Sequence, residues 1–205
     1  MNTAEIIAST ISLLALLISV VTAYRTFFAK FQAGVYMLPR VALTRINKTP
    51  CIVIGCEITN SGAKSGAVDD IILISKYRQK DTKSINTFTF LPLLIRDDYS
   101  VFKTYTESDF EPFQSIVIAA NSRVTRYIVF GPSNKSFSPL PGEVELHVYS
   151  RSANETEWQK ASGNASFPVD DLSASVWSSS ENKSIMTDTI ENDDLRQKLM
   201  ERLFS

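Results

Sequence analysis

An uncharged segment near the N-terminus constrains this chain more than any other feature. No Asp, Glu, Lys or Arg lies between Glu5 and Arg25, a run of nineteen residues. As an α-helix, nineteen residues span about 28 Å, which is close to the hydrocarbon thickness of a bilayer, about 30 Å. The sequence therefore predicts one N-terminal transmembrane helix with a short stalk, over residues 1–33.

A cleaved signal peptide is the alternative interpretation of this segment. The tripeptide Val21-Thr22-Ala23 has small residues where a signal peptidase site places them. The residues before the apolar run, however, include no Lys or Arg and do include Glu5. Residues 24–31 bring aromatic and basic side chains together, as is typical of the headgroup layer of a bilayer. These features favour a retained anchor.

The charges on the two sides of the segment predict its orientation. No Lys or Arg precedes it, whereas four basic residues follow closely, at Arg25, Lys30, Arg40 and Arg45. Under the positive-inside rule this asymmetry predicts a single-pass protein of the cell membrane, with its N-terminus outside and its C-terminal domain in the cytoplasm. N-x-S/T sequons favour the opposite orientation, because they would accept glycans in a lumenal domain. They begin at Asn47, Asn134, Asn154, Asn164 and Asn182.

Small side chains recur within the span at alternating spacings of four and three. The positions are Ala8, Ser12, Ala15, Ser19, Thr22, Thr26, Ala29 and Ala33. A period of 3.5 residues keeps one seam of a helix facing a partner helix. Small residues on such a seam let two helices pack closely in lipid, and Ser and Thr can hydrogen-bond across the contact. We therefore expect helix–helix packing with another transmembrane helix, from a second copy or from a different subunit.

From residue 34 to 168 the apolar period changes to two. Short runs rich in Val, Ile, Phe, Tyr and Thr are separated by turn sequences, which predicts about eight antiparallel strands. The strand CIVIGCEIT, the turn Asn60-Ser61-Gly62 and the next apolar strand resemble the start of many immunoglobulin-like sandwiches. Ile52, Ile54, Cys56 and Ile58 are expected on one face of that strand. The expected fold is mainly β, an immunoglobulin-like β-sandwich.

No pattern in the sequence predicts catalytic, cofactor-binding or metal-ligating residues. The single histidine, His147, lies within a predicted strand, where a surface or edge position is expected. Cys51 and Cys56 fall on opposite faces of one strand, too far apart for a disulfide and without the spacing of a zinc site. With 21 Lys and Arg against 22 Asp and Glu, the balanced charge gives no reason to expect a nucleic-acid partner.

The composition changes after Pro168. Residues 169–187 are polar and rich in Ser, which predicts a flexible linker, although Trp177 offers one side chain that can dock. Residues 188–205 have helical spacing and predict a short amphipathic C-terminal helix. Its apolar stripe comprises Leu195, Leu199, Met200, Leu203 and Phe204. That stripe can pack on its own domain, dock in the groove of a protein partner, or lie on the membrane.

Two functions are compatible with these features. The first is a non-enzymatic single-pass membrane protein that assembles through its transmembrane helix and binds a protein partner through a cytoplasmic β-sandwich and the C-terminal helix. The alternative is an extracytoplasmic, membrane-anchored recognition domain that binds a glycan or a protein. The basic residues after the span favour the first, and the sequons favour the second.

Overall fold

The fold begins with a long apolar helix, α1, at Thr3–Phe27. The structure, a computed structural model, describes residues 2–79, 84–99, 107–134, 137–153, 155–178 and 185–188. Within α1, the segment Ile6–Phe27 is long and apolar enough to cross a membrane, and none of it is buried against the rest of the chain. The predicted N-terminal apolar helix is therefore confirmed as an element that could anchor the protein in a membrane.

Eleven antiparallel strands follow among the described residues, and they form one sheet. They are β1 Ala33–Ile46, β2 Thr49–Asn60, β3 Gly66–Gln79, β4 Ile85–Arg96, β5 Glu111–Pro112, β6 Ile116–Ile118, β7 Ser122–Pro132, β8 Gly142–Ser152, β9 Gln159–Lys160, β10 Ala165–Val169 and β11 Ile185–Asp188. The main path runs β10-β8-β3-β4-β7-β2-β1-β11, while β5, β6 and β9 pair with β4, β3 and β8. The mainly β, antiparallel fold is confirmed.

This sheet curls into a half-barrel, so the expected immunoglobulin-like sandwich of two sheets is not confirmed. Irregularities in strand register at Met37/Val41, Val68/Asp70 and Pro92/Leu94 accompany the curl, and such bulges bend a strand and increase its twist. The curl brings Ser162, just before β10, against β1. There the Ser162 amide donates to the Val35 carbonyl at 2.8 Å, and the Ser162 carbonyl accepts from the Met37 amide at 3.0 Å.

The core lies mainly on the inner face of the curl. Ile52, Ile54, Cys56 and Ile58 of β2 all belong to the inner cluster and are completely buried, which confirms that they share one face. The alternate residues of β2 belong to a second cluster on the outer face, with Cys51 and Val53. Phe110 and Tyr99, which follow β4 in the chain, pack on that outer cluster. A strand covered on both faces needs apolar residues at consecutive positions, as β2 has.

The described parts of residues 169–187, for which the composition predicts a flexible linker, form regular secondary structure. Asp171–Ser178 form a helix, α2, and β11 pairs with β1. The Asp170 carboxylate accepts from the Ser173 amide at 2.6 Å and so caps α2, and the hydrogen bonds from Ser173 lower the pKa of Asp170. Trp177 is 1% exposed, in contact with Phe137, so one buried aromatic ring attaches this polar segment to the core. The docking of Trp177 is confirmed.

The predicted C-terminal helix lies outside the described residues. Asp188, its expected first residue, is the last residue of β11, paired with Arg40. The partner-docking stripe at Leu195, Leu199, Met200, Leu203 and Phe204 therefore stays a prediction.

Candidate functional surfaces

The seam of small residues lies along the exposed surface of α1. Six of its eight members are in the helix: Ala8, Ser12, Ala15, Ser19, Thr22 and Thr26. Ser12 and Ser19 donate their hydroxyl protons to the carbonyls of Ala8 and Ala15, at 2.9 and 2.8 Å. Because these protons are already used within α1, the two serines can only accept a hydrogen bond from a neighbouring helix. The seam is therefore suited mainly to close van der Waals packing.

The other two members of the seam lie beyond the helix, because α1 ends at Phe27 rather than continuing to Ala33. Ala33 is the first residue of β1 and pairs with Asn60. The carbonyl of Ala29 accepts from the amide of Ala63, at 3.0 Å, instead of bonding within a helix. Tertiary hydrogen bonds thus replace helical ones here, and Ala29 and Ala33 are not helix-packing positions.

The strands β1–β11 and α2 are called the β-domain below. The stalk between α1 and β1, residues 28–32, is docked on this β-domain through Asn60. Asn60 is 2% exposed. Its Nδ2 donates to the carbonyls of Lys64 and Ala119, both at 2.9 Å. Its Oδ1 accepts from the amides of Gly62, at 2.9 Å, and Gln32, at 3.4 Å. One side chain therefore joins the stalk, the β2–β3 turn and the β6–β7 turn.

Two glycines allow the stalk to lie close against the domain. A Cβ on Gly62 would be 1.9 Å from the Lys30 carbonyl oxygen, and a Cβ on Gly66 would be 2.2 Å from the Phe31 ring. No side chain fits at those distances, so the approach of the Lys30 backbone requires glycine at position 62 and the placement of the Phe31 ring requires glycine at position 66. The result is a short, ordered connection between α1 and the β-domain.

Aromatic side chains surround the end of α1. Tyr24 and Phe28 stack at a centroid distance of 6.2 Å, and they are 62% and 64% exposed. Phe27 is similarly exposed, at 68%. Phe31, in contrast, packs on the inner core cluster. Exposed aromatic rings at one end of an apolar helix are typical of the interface between hydrocarbon and water.

His147 lies on a central strand and is 5% exposed, so the expected surface or edge position is wrong. Its Nε2 is 2.9 Å from Glu145 Oε1, while its Nδ1 is buried with no hydrogen-bond partner among the described residues. Burial lowers the pKa of His147. The positive charge of Lys160 lowers this pKa further, and the negative charge of Glu145 raises it. His147 is therefore neutral at neutral pH, with one ring nitrogen engaged by a carboxylate.

The two cysteines are buried thiols on opposite faces of β2, as the strand pattern predicts. Burial raises the pKa of Cys51 and of Cys56 to about 12. A thiol with such a pKa is almost entirely protonated at neutral pH and reacts slowly with electrophiles. Neither cysteine is suited to nucleophilic chemistry.

A cleft of about 500 Å³ at the end of β4 contains several acidic side chains. Its carboxylates belong to Asp97, Asp98, Asp109 and Glu111. Two of them are paired with arginines, because Asp97 Oδ1 is 3.0 Å from Arg126 Nη1 and Asp98 Oδ1 is 2.8 Å from Arg96 Nη2. Across the described ranges, no group of three or more His, Cys, Asp and Glu side chains is arranged to hold a metal ion. Ion pairing thus accounts for two of the four carboxylates in this cleft.

The sequence gives little indication that Asn60 joins the stalk to the β2–β3 and β6–β7 turns. Asn60 precedes Ser61-Gly62, so it is readily interpreted as an ordinary turn residue. Its partners include Gln32 and Ala119, which are 28 and 59 residues away in the chain. The only signal is that an Asn ends a strand whose other inward side chains are apolar.

Comparison with known proteins places the chain in no family. No protein-family model matches it. No curated protein matches it. Among solved structures, it has a weak likeness to a family 123 glycoside hydrolase from Clostridium perfringens, described as hydrolysing glycolipid glycans. The sequences are 11% identical, the TM-score is 0.29, and the match covers 68% of this chain and 27% of the hydrolase. A likeness of this extent supports no inference about the fold or the function of this chain.

Proposed function

We propose that this protein is a non-enzymatic, single-pass membrane protein that assembles through its N-terminal helix and binds a protein partner through its β-domain and C-terminal helix. The observation that carries the proposal is the exposed face of α1 that holds Ser12 and Ser19. Large side chains cover the opposite face, where Leu13 and Leu17 are 58% and 54% exposed. A helix with one narrow, small-residue face and one bulky face has a defined direction in which a second helix approaches closely.

The β-domain contributes a surface that supports partner binding. Leu91 and Leu93 of β4 are 45% and 44% exposed, and the Leu93 side chain extends across Gly131 of β7. Exposed leucines grouped on one strand are suited to a protein contact. The amphipathic stripe predicted within residues 188–205 would provide a second contact.

Disulfide cross-linking in native membranes tests assembly through the seam. We expect single cysteines in place of Ser12 or Ser19 to form disulfide-linked dimers, because two copies packed along the seam bring these Cα atoms within about 7 Å. Single cysteines in place of Leu13 or Leu17 are the matched controls, since they face the other side of α1 and should form few dimers. Cys51 and Cys56 can remain, because their buried thiols with raised pKa react slowly.

Equal cross-linking at all four positions, or at none, would contradict self-association through the seam. A different subunit would then be the remaining helix partner. It would be sought by purifying the full chain from membranes in mild detergent.

The proposed orientation puts the β-domain in the cytoplasm. In intact cells, a membrane-impermeant maleimide should label a cysteine replacing Asn2 but not one replacing Lys48 in the exposed β1–β2 turn. Lys48→Cys should be labelled only after permeabilisation. The unmodified chain measures the background labelling of the buried thiols of Cys51 and Cys56. The reverse pattern would favour the extracytoplasmic recognition domain, for which Asn134 and Asn164 are exposed sequon positions.

A further inference from the structure

A cleft of about 430 Å³ opens at the stalk end of the sheet, beside the point where the chain leaves α1. Its walls come from the stalk, the β2–β3 turn and the segment after β8. The charged side chains that line it are Lys30, Lys64 and Glu155. Glu155 Oε2 accepts a hydrogen bond from Gln159 Nε2 at 2.9 Å. Lys30 and Lys64 are exposed, and neither forms an ion pair with any residue that the structure describes.

The docked stalk determines how far this cleft lies from a bilayer that α1 crosses. The apolar segment Ile6–Phe27 is about 33 Å long, so Phe27 reaches the edge of a hydrocarbon core about 30 Å thick. Lys30 follows three residues later, at most about 10 Å further along the chain. The headgroup layer is about 5–8 Å thick on each side of the core. Lys30 is therefore at the level of the lipid phosphates.

The second lysine, Lys64, is held beside the stalk by the network around Asn60. Asn60 Nδ2 donates to the Lys64 carbonyl at 2.9 Å, and the Ala63 amide donates to the Ala29 carbonyl at 3.0 Å. These bonds fix the backbone of Lys64 relative to the stalk. Lysine side chains from two separate parts of the chain thus line one cleft. Both are already in place in the folded protein, so no further segment has to fold to complete the cleft.

We propose that this cleft binds the phosphate-bearing headgroup of an anionic phospholipid, in the leaflet through which α1 leaves the bilayer. The inference rests on the proposed function, since it requires α1 to be a membrane anchor. Lysine ammonium groups donate charge-assisted hydrogen bonds to phosphate oxygens. Among the described residues that line the cleft, Lys30 and Lys64 outnumber the one acidic side chain, Glu155, so the cleft carries surplus positive charge. It therefore favours a headgroup with net negative charge, such as phosphatidylglycerol, over the zwitterionic phosphatidylcholine.

Lipid-specific fluorescence quenching in nanodiscs tests this site with the full chain. A fluorophore is attached at Ala120→Cys, in the exposed β6–β7 turn, whose Asn121 amide bonds to the Gly62 carbonyl at 3.1 Å. The discs contain phosphatidylcholine and a minor fraction of phosphatidylglycerol, and either lipid carries a nitroxide on its acyl chain just below the glycerol. We expect stronger quenching by labelled phosphatidylglycerol, with a preference of about fivefold for each lysine.

Three variants assign the preference to the cleft. Lys30→Gln with Lys64→Gln should remove it, and Glu155→Gln should increase it. Lys48→Gln, the matched control at the far end of the sheet, should leave it unchanged. Equal quenching by the two lipids, or a preference that survives loss of both cleft lysines, would overturn the site while leaving the anchor intact. A chain that does not co-elute with the nanodiscs would overturn the anchor and the lipid site together.

Discussion

Replacing Asn60 by alanine should lower the free energy of unfolding by about 3 kcal/mol and release the stalk from the β-domain. The change removes four hydrogen bonds, and the Lys64 carbonyl and the Gly62 and Gln32 amides lose Asn60 as their partner. The Ala119 carbonyl still accepts from the Ser122 hydroxyl, at 2.7 Å. Each buried polar group that loses its partner costs about 1–3 kcal/mol, and water entering the site offsets part of that cost. Urea unfolding of the full chain in mild detergent measures the loss of stability.

Trypsin cleavage after Lys30 measures the release of the stalk in the same samples. Lys30 is exposed, but its neighbours are held by the Ala29–Ala63 and Gln32–Ser61 backbone bonds, so cleavage requires local opening. Asn60→Ala should accelerate it strongly. Ser61→Ala is the matched control, because the Ser61 hydroxyl makes only an exposed contact to Gln32 Oε1, at 3.3 Å. If Asn60→Ala and Ser61→Ala had the same free energy of unfolding and the same rate of cleavage after Lys30, Asn60 would not be the residue that docks the stalk.

The second large effect is expected at Trp177. Trp177→Ala should reduce the free energy of unfolding by about 3–5 kcal/mol, because truncating a buried Trp leaves a cavity. The ring is 1% exposed, lies 5.5 Å from the Phe137 ring in an edge-to-face arrangement, and donates from Nε1 to the Cys51 carbonyl at 3.1 Å. The variant should also loosen α2, since Trp177 is the larger of the two α2 side chains, with Ala174, in the inner core cluster. Loss of the β-sheet circular-dichroism signal in urea measures the change.

Trp158 provides a control of the same residue type. It is 40% exposed, and its main contact is the Arg151 guanidinium, 5.1 Å from the ring centroid. Trp158→Ala should cost only about 0.5–1 kcal/mol, the value of an exposed cation–π contact. A loss at Trp177 no larger than this would mean that the segment 171–178 contributes nothing to the stability of the core.

Local patterns in the sequence predicted the parts of this fold that depend on neighbouring residues. The apolar run before Arg25 predicted a helix long enough to cross a bilayer, and the period of two in CIVIGCEIT predicted which faces of β2 hold Ile52 and Cys51. The helical period of 3.6 residues and the strand period of 2 follow from backbone geometry alone, so they hold wherever the element packs. The same local reasoning extended the seam to Ala33, although the small-residue pattern continues past the end of the helix at Phe27.

The candidate surfaces also differ in whether local sequence patterns could predict them. The part of the seam from Ala8 to Thr26 can be derived from residue spacing, because these six residues lie on one continuous helix. The cleft between Lys30 and Lys64 cannot, since its two lysines meet only after the stalk docks on the β2–β3 turn. His147 likewise has the pattern of a surface residue, and its burial depends on the strands that flank β8 in the sheet.

By itself, the sequence determined an N-terminal apolar helix, a β-rich domain of antiparallel strands and the inward residues of β2. Only the tertiary structure decided that α1 ends at Phe27, that the strands form one curled sheet rather than two packed ones, and that Trp177 attaches a polar segment to the core. The physical reason is the range of the interactions. Helix and strand periodicity arise within a few residues, whereas the end of α1 and the curl depend on backbone groups that find partners far along the chain, such as Ala29 with Ala63 and Val35 with Ser162.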